Sequence, residues 1–384
     1  MTPLIDNLPA DWREALFLGR LALPEGPTPV LVRGGRVFDI SRFAPTSAEA
    51  LAKPGLATAE GRDLGDLADL QLTAAWEGEG AIQLLSPLDL QCVKASGVTF
   101  AVSAVERVIE ERARGDADRA LSIRADLAER VGADIASVKP GSEQAATLKD
   151  ILIADGLWSQ YLEVAIGKDA EIFTKSPILA SVGWGAWIGV RSDSSWNNPE
   201  PEVVVVCDPT GKPVGATLGN DVNLRDIEGR SALLLGKAKD NNASASVGPF
   251  IRLFDDGFSM DDVRVATVAL EVRGEDNFVM TGESSMSLIS RDPLELLGQT
   301  LSKDHQYPDG FALYLGTMFA PIEDRDTPGR GFTHKSGDVV KVSSERLGAL
   351  VNKVCDCAAA PPWTLGVTAL MRNLAARGLL GDAA

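Results

Sequence analysis

Apolar residues recur every three or four positions between residues 102 and 114, where Val102, Val105, Val108 and Ile109 share one face of a predicted helix. Gly115 is expected to end that helix. After Pro140-Gly141, Ser142 is the expected N-cap of a second helix that reaches Ala154. The pattern therefore predicts a helical region before the middle of the chain.

The pattern becomes that of strands after about residue 161. Residues 203–207 form a β-branched run, residues 208–212 have turn chemistry, and residues 213–217 return as a second strand, so the three segments predict a hairpin. Residues 339–342 predict a further strand near the end of the chain. Many short strands between Gly and Pro turns favour an α+β fold with a rolled, mostly antiparallel sheet.

The first 85 residues are predicted to form a smaller α+β domain. Residues 30–39 indicate two strands around Gly34-Gly35, and the Ala- and Leu-rich stretch from Ser47 to about Leu72 favours a helix. The composition changes at residues 84–87. We therefore predict an N-terminal domain over 1–85 and a catalytic domain over 86–384.

Composition and charge exclude several classes of protein. The 54 acidic residues exceed the 37 basic ones and give a net charge of -17, which disfavours nucleic-acid binding. We expect no membrane span, because no apolar window approaches the length that a bilayer requires. The first residues lack the features of a signal peptide, and the four cysteines are scattered, so a cytoplasmic location is expected.

The chain has only two histidines, His305 and His334, both in its last quarter. Zinc hydrolases, Ser-His-Asp hydrolases and Cys-His proteases each need at least one well-placed imidazole. If the protein is an enzyme, carboxylates, lysines or a hard metal ion are therefore expected to carry the chemistry.

The densest polar segment, residues 189–202, leads directly into the strand at 203–207. Glu200 and Glu202 are two positions apart, so in an extended segment their side chains point the same way. Asp221 follows the returning strand of the hairpin and is expected beside them. Three carboxylates suit Mg²⁺, and an exposed acidic loop is the alternative. Lys239 is either a base or charge partner near this metal, or a surface lysine.

These residues resemble the signature of the fumarylacetoacetate hydrolase superfamily, which has a Glu-x-Glu pair, an Asp after the next hairpin, and a Lys before a Gly-Pro. Here they are Glu200, Glu202, Asp221, Lys239 and Gly248-Pro249. Within the superfamily, residues 189–202, 219–229 and 238–249 resemble the 2-keto-3-deoxy-pentonate dehydratases. The resemblance covers about residues 86–345 and implies a mixed β-roll or sandwich fold and a homodimer or homotetramer.

The resemblance also implies a role for each matching residue. It makes Glu200, Glu202 and Asp221 ligands of a divalent metal, usually Mg²⁺, with Mn²⁺ also possible. Glu171 matches the catalytic acid or base, and Lys239 the active-site lysine. Four further residues match a substrate-binding region, although the first three could equally fix their loop: Arg191, Ser192, Asp193 and Thr317.

One difference from other members of the superfamily distinguishes dehydration from C–C bond hydrolysis. Its C–C bond hydrolases have a histidine that activates water, and the corresponding segment here, residues 99–103, ends at Ser103 without one. The resemblance therefore implies dehydration of a 2-keto-3-deoxy-D-pentonate (xylonate or arabinonate) to 2,5-dioxopentanoate in pentose catabolism. An acylpyruvate hydrolase, an oxaloacetate decarboxylase and a metal-stabilised binding protein remain alternatives, and the sequence leaves open whether Glu171 or Lys239 is the base.

Overall fold

In a computed structural model, the protein is described at residues 3–78, 82–120, 123, 138–319, 321, 323–327 and 331–381. The strands of this part are β1 Phe17–Leu23, β2 Gly26–Arg33, β3 Arg36–Asp39, β4 Arg62–Asp66, β5 Gln83–Leu85, β6 Cys92–Gly97, β7 Glu171–Ser176, β8 Trp187–Val190, β9 Pro201–Cys207, β10 Pro213–Asp221, β11 Ala245–Leu253, β12 Thr267–Arg273, β13 Val279–Ser285, β14 Phe311–Tyr314, β15 Val339–Ser344 and β16 Gly348–Asp356.

The α-helices of the described residues are short and lie between the strands. They are α1 Ser47–Ala52, α2 Ala101–Ala113, α3 Glu143–Ala154, α4 Gln160–Ile166, α5 Arg225–Glu228, α6 Leu235–Lys239, α7 Met260–Arg264, α8 Pro293–Thr300 and α9 Val367–Ala376. No helix among these residues is long and apolar enough to cross a membrane.

The strands form two sheets. The larger has the order β4-β3-β2-β1-β11-β10-β9-β14-β6-β7, with β5 also paired to β1, and the smaller has the order β13-β12-β15-β16-β8. Only the pairs β14–β6 and β16–β8 are parallel among the pairings of the described strands. Val205 and Leu218 of the larger sheet share one core with Leu270 and Val342 of the smaller. This is the predicted α+β, mostly antiparallel architecture.

The strands of residues 17–85 belong to the larger sheet, because β1 pairs with β11. The division of the chain at residue 85 stays a prediction. The predicted hairpin at residues 30–39 is confirmed, with positive φ at both Gly34 and Gly35. The predicted helix from Ser47 to Leu72 is wrong: it ends at Ala52, before Pro54, and Arg62–Asp66 pairs as a strand.

Both predicted helices before the middle of the chain are confirmed. Helix α2 ends at Ala113, and the next two residues, Arg114 and Gly115, both have positive φ. Val105, Val108 and Ile109 are buried, whereas Val102 in the first turn is half exposed, so the apolar face is shorter than predicted. Ser142 caps α3 by accepting a hydrogen bond from the Ala145 amide.

Candidate active site

The hairpin of β9 and β10 builds one wall of a narrow cavity. Val203 and Val205 face the smaller sheet, whereas Val204 and Val206 face the opposite side. Side chains alternate along a strand, so Glu202 and Glu200 continue the second face. On the partner strand, Gly219 lies opposite Glu202, and the Asp221 amide donates to the Glu200 carbonyl at 3.0 Å. The register therefore brings the three acids together, as the sequence predicted.

The carboxylates of Glu200, Glu202 and Asp221 each have an oxygen within 4.8 Å of the others, and all three residues are buried. The alternative of an exposed acidic loop is therefore wrong. Gly219 makes room for the buried Tyr314 ring beside this hairpin, because a Cβ there would lie 2.3 Å from the ring. The Glu202 carboxylate also accepts a hydrogen bond from the Gly316 amide at 2.6 Å.

Two buried lysines neutralise part of this charge. Lys239, at the end of α6, forms an ion pair with Glu200 and lies 3.2 Å from the Asp221 carboxylate, so it is not a surface lysine. Lys175 of β7 lies 2.7 Å from the other oxygen of Asp221 and donates to the Lys239 carbonyl. Sequence analysis missed Lys175, although a lysine at an even spacing from Glu171 in the same strand was a signal.

Arg107 of α2 was also missed. Its guanidinium forms ion pairs with Glu200 at 2.7 Å, Glu110 at 2.7 Å and Glu228 at 2.6 Å. Arg225 makes a second set of ion pairs with Glu110 and Glu106. Residues 106, 107 and 110 lie on the face of the predicted helix opposite Val105 and Val108, where charged side chains are typical of a solvated face, so the pattern alone did not indicate a buried ion pair.

Glu171 begins β7 and lines the same cavity as the three carboxylates and Lys239. Gly97 lies opposite it in the β6–β7 register, and a Cβ at Gly97 would lie 2.0 Å from its carboxyl oxygen. The absence of that Cβ is what gives the Glu171 side chain its position. Burial raises the pKa of Glu171 despite the attraction of Arg107 and Lys239.

The buried acids of the cavity differ in the direction in which their pKa is shifted. Burial, with Asp221 and Glu200 nearby, raises the pKa of Glu202 well above its usual range. Burial also acts against ionisation of Asp221, but Lys175 and Lys239 outweigh it and lower its pKa. Burial raises the pKa of Glu228 to about 7 despite Arg107. For Lys239, the attraction of Asp221 and Glu200 exceeds the effect of burial, so its pKa is raised and the side chain stays cationic.

The donor set fits a hard divalent cation. Seven carboxyl groups line the cavity against three cationic side chains among its described residues, with Lys175 behind Asp221. Three of the acids present oxygen atoms to one point, and oxygen ligands are those that Mg²⁺ and Mn²⁺ prefer. A divalent cation there would offset the excess negative charge that the lysines leave uncompensated.

The remaining predicted residues separate into two groups. Thr317 is buried and lines the cavity, where its hydroxyl accepts a hydrogen bond from the Phe319 amide. Arg191 and Asp193 pair with each other at 2.7 Å at the surface, and Asp193 also binds Lys237. Neither they nor Ser192 are among the described residues that line the cavity, so the structure favours the reading that they fix their loop.

The position expected for a hydrolytic histidine is occupied by Ser103, which lines the cavity. His334 is buried and lies 3.3 Å from Asp338, and His305 is exposed and packs against Tyr307 with the two rings tilted by 53°. Neither histidine is among the described cavity residues. The groups available for proton transfer in this site are therefore carboxyl and amino groups.

Part of the chain is similar to a known family model and to two enzymes. Residues 214–355 match the family model described as fumarylacetoacetate (FAA) hydrolase C-terminal. The chain is 33% identical over 187 residues to 2-dehydro-3-deoxy-D-arabinonate dehydratase of Saccharolobus solfataricus. It is 29% identical over 194 residues to a probable 2-keto-3-deoxyxylonate dehydratase of Haloferax volcanii. These alignments cover 48% and 50% of this chain but only 58% and 63% of the two relatives.

Solved structures share the fold over a greater length. A 2-keto-3-deoxy-D-arabinonate dehydratase complexed with magnesium and 2,5-dioxopentanoate aligns with a TM-score of 0.63 at 22% identity, over 88% of this chain and 99% of that one. A 5-carboxymethyl-2-hydroxymuconate delta-isomerase from Mycobacterium smegmatis aligns with a TM-score of 0.53 at 22% identity, over 88% and 98%. At these identities, the likeness is one of fold.

Proposed function

Because residues 214–355 match the FAA hydrolase C-terminal family model, we propose that the protein is a metal-dependent hydro-lyase that converts a 2-keto-3-deoxy-D-pentonate to 2,5-dioxopentanoate. The observation that carries the proposal is the placement of Glu171 in one cavity with three clustered carboxylates and Lys239. The names of the two relatives, a 2-dehydro-3-deoxy-D-arabinonate dehydratase and a probable 2-keto-3-deoxyxylonate dehydratase, support this substrate class.

Glu200, Glu202 and Asp221 would hold the divalent ion. Mg²⁺ is the ion that their all-oxygen donor set and the magnesium in the related dehydratase structure favour. When bound, the ion supplies a Lewis acid for the carboxylate and 2-keto oxygens of the substrate. Thr317 lines the same cavity, and we assign its loop to the substrate carboxylate.

Glu171 is proposed as the group that moves protons. Its raised pKa brings it nearer to neutrality, where one carboxyl group serves both as base and as acid. As a carboxylate it removes a proton from C3, and as a carboxylic acid it returns a proton to the hydroxyl that leaves C4. The C3–H and C4–O bonds break, a C3–C4 double bond forms, and one water leaves.

The product requires two further proton shifts, the second of which moves the enol hydroxyl proton to C4. A proton moves from C5 to C3, which places the double bond between C4 and C5, and the resulting enol becomes the C5 aldehyde. No oxidant or reductant is needed, because the net change is the loss of water. Lys239 is held cationic by Glu200 and Asp221, so we assign it to balance negative charge on the 2-keto oxygen rather than to act as the base.

The residues of the site fit acylpyruvate hydrolysis and binding without catalysis less well than they fit dehydration. Hydrolysis of an acylpyruvate needs an activated water, and Ser103 occupies the position where the hydrolases have a histidine. A binding protein without catalysis has no need of an acid with a raised pKa, such as Glu171, beside a metal site. We also propose a cytoplasmic homodimer or homotetramer; the four cysteines are free thiols, which supports that location.

A substrate panel tests the proposal. The purified protein with Mg²⁺ is given 2-keto-3-deoxy-D-xylonate, 2-keto-3-deoxy-D-arabinonate, an acylpyruvate and oxaloacetate, each with and without EDTA. We expect semialdehyde formation from one or both sugar acids and its loss after chelation. Pyruvate release from the acylpyruvate or oxaloacetate without dehydration of either sugar acid would overturn the proposal.

A further inference from the structure

The face that carries the three carboxylates continues by one step into a pair of asparagines. Asn198 precedes Glu200 by two residues, and Asn223 follows Asp221 by two. The two asparagines pair through their backbones, each amide donating to the other carbonyl at 3.0 Å. They therefore extend the β9–β10 ladder in register.

The alternation of this ladder points both amides into the active-site cavity. Asn198, Glu200 and Glu202 line the cavity on one strand, and Asp221 and Asn223 line it on the other. The intervening residues 199, 201, 220 and 222 are not among the described lining residues. Two residues of strand span about 7 Å, so the amide pair lies one step of that length from Glu200 and Asp221.

The side-chain oxygen of Asn223 lacks a partner among the described residues. Asn223 is 1% exposed, and its side-chain oxygen accepts no hydrogen bond from any residue that the structure describes. Its amide nitrogen makes only a 3.5 Å contact with the Asn198 side chain. A buried carbonyl without a donor costs free energy unless a ligand or water supplies one.

From this placement we infer that the Asn198–Asn223 pair is the subsite for the hydroxyl groups of the substrate, with Asn223 as the residue that selects hydroxylated 2-keto acids. The inference rests on the proposed function. A keto acid held at the carboxylates by its C1 and C2 oxygens extends its carbon chain away from them, and C4 and C5 carry the hydroxyls. A hydroxyl donates to the free oxygen of Asn223, which a hydroxyl-free chain leaves unpaired.

Binding measurements that avoid turnover test the inference. In the Mg²⁺-loaded Glu171→Gln variant, calorimetry measures the Kd of 2-keto-3-deoxy-D-xylonate and of hydroxyl-free 2-oxobutanoate, before and after the additional change Asn223→Ala. We expect Asn223→Ala to weaken the sugar acid about 10- to 100-fold and 2-oxobutanoate about twofold or less. Asn223→Ser, which keeps a hydroxyl, should restore part of the affinity and covers the case in which the alanine variant does not fold.

The matched control is Asn373→Ala on α9, outside the cavity, which should change neither Kd. Equal weakening of both ligands, or no weakening of the sugar acid, would overturn the subsite. If the unmodified protein dehydrates the sugar acids but Asn223→Ala leaves the ratio of the sugar-acid Kd to the 2-oxobutanoate Kd unchanged, only this inference fails. If the unmodified protein binds and dehydrates neither sugar acid, the inference fails together with the proposed function.

Discussion

The Arg107 guanidinium lies 2.7 Å from the Glu200 carboxylate and ties it to helix α2. The same guanidinium binds Glu110 and Glu228, so a single side chain joins the helix, the carboxylate cluster and α5. Its planar fork suits several carboxylates at once. Glu200 is therefore held in place from the helix side, independently of Lys239.

Arg107→Lys should weaken metal binding because an ammonium group lacks the fork that holds three carboxylates together. We expect the Kd for Mn²⁺, measured by calorimetry, to rise about tenfold or more, corresponding to about 1.4 kcal/mol. The matched control is Arg112→Lys on the same helix, because Arg112 donates to the Gly156 carbonyl and is not among the described residues that line the cavity. An unchanged Mn²⁺ affinity in Arg107→Lys would show that the ion pair does not position Glu200.

Glu171→Gln should separate metal binding from turnover. The amide keeps the size of the side chain but cannot take or return a proton, so kcat should fall about 10²- to 10⁴-fold. The Mn²⁺ affinity should stay within about threefold, because Glu171 is not one of the three clustered carboxylates. Substantial remaining turnover would assign the proton transfers to another group.

Metal affinity should rise with pH. The pKa of Glu202 is raised in the metal-free protein, so the carboxyl keeps its proton over a range where an exposed glutamate is ionised, and a bound metal must displace that proton. Affinity is therefore full above the raised pKa and is lost as pH falls through it, by about tenfold per pH unit for one proton. Calorimetry in buffers of different ionisation enthalpy should show proton release, and a pH-independent Kd would contradict this.

Lys175→Met should reduce stability. The substitution removes a buried cation 2.7 Å from Asp221 and leaves only Lys239 to offset that charge. We expect the free energy of unfolding to fall by about 3 kcal/mol in denaturant titrations without metal. Added Mg²⁺ should recover part of the loss, whereas Lys212→Met in the exposed turn between β9 and β10 should have little effect on either measurement.

The sequence predicted those parts of the site that one hairpin fixes. Glu200, Glu202 and Asp221 converge because strand alternation and a short turn are local properties. Arg107 and Lys175 were missed because their partners lie on other elements, 93 residues away for Arg107 and 46 for Lys175. The same holds for Gly97, whose role depends on the pairing of β6 with β7. The helix predicted from Ser47 to about Leu72 ends before Pro54-Gly55. The Ala- and Leu-rich composition favours a helix there, but Pro54 prevents it from continuing.

The most direct test of the central claim is a ¹H and ¹³C NMR time course of 2-keto-3-deoxy-D-xylonate or 2-keto-3-deoxy-D-arabinonate with the Mg²⁺-loaded protein. We predict that all five carbons stay in one molecule, that the C4 carbinol signal disappears and that a C5 aldehyde or its hydrate appears, with no reaction in EDTA. Cleavage of either sugar acid to pyruvate and a two-carbon aldehyde, or unchanged dehydration after the metal is removed, would contradict the proposed metal-dependent dehydratase.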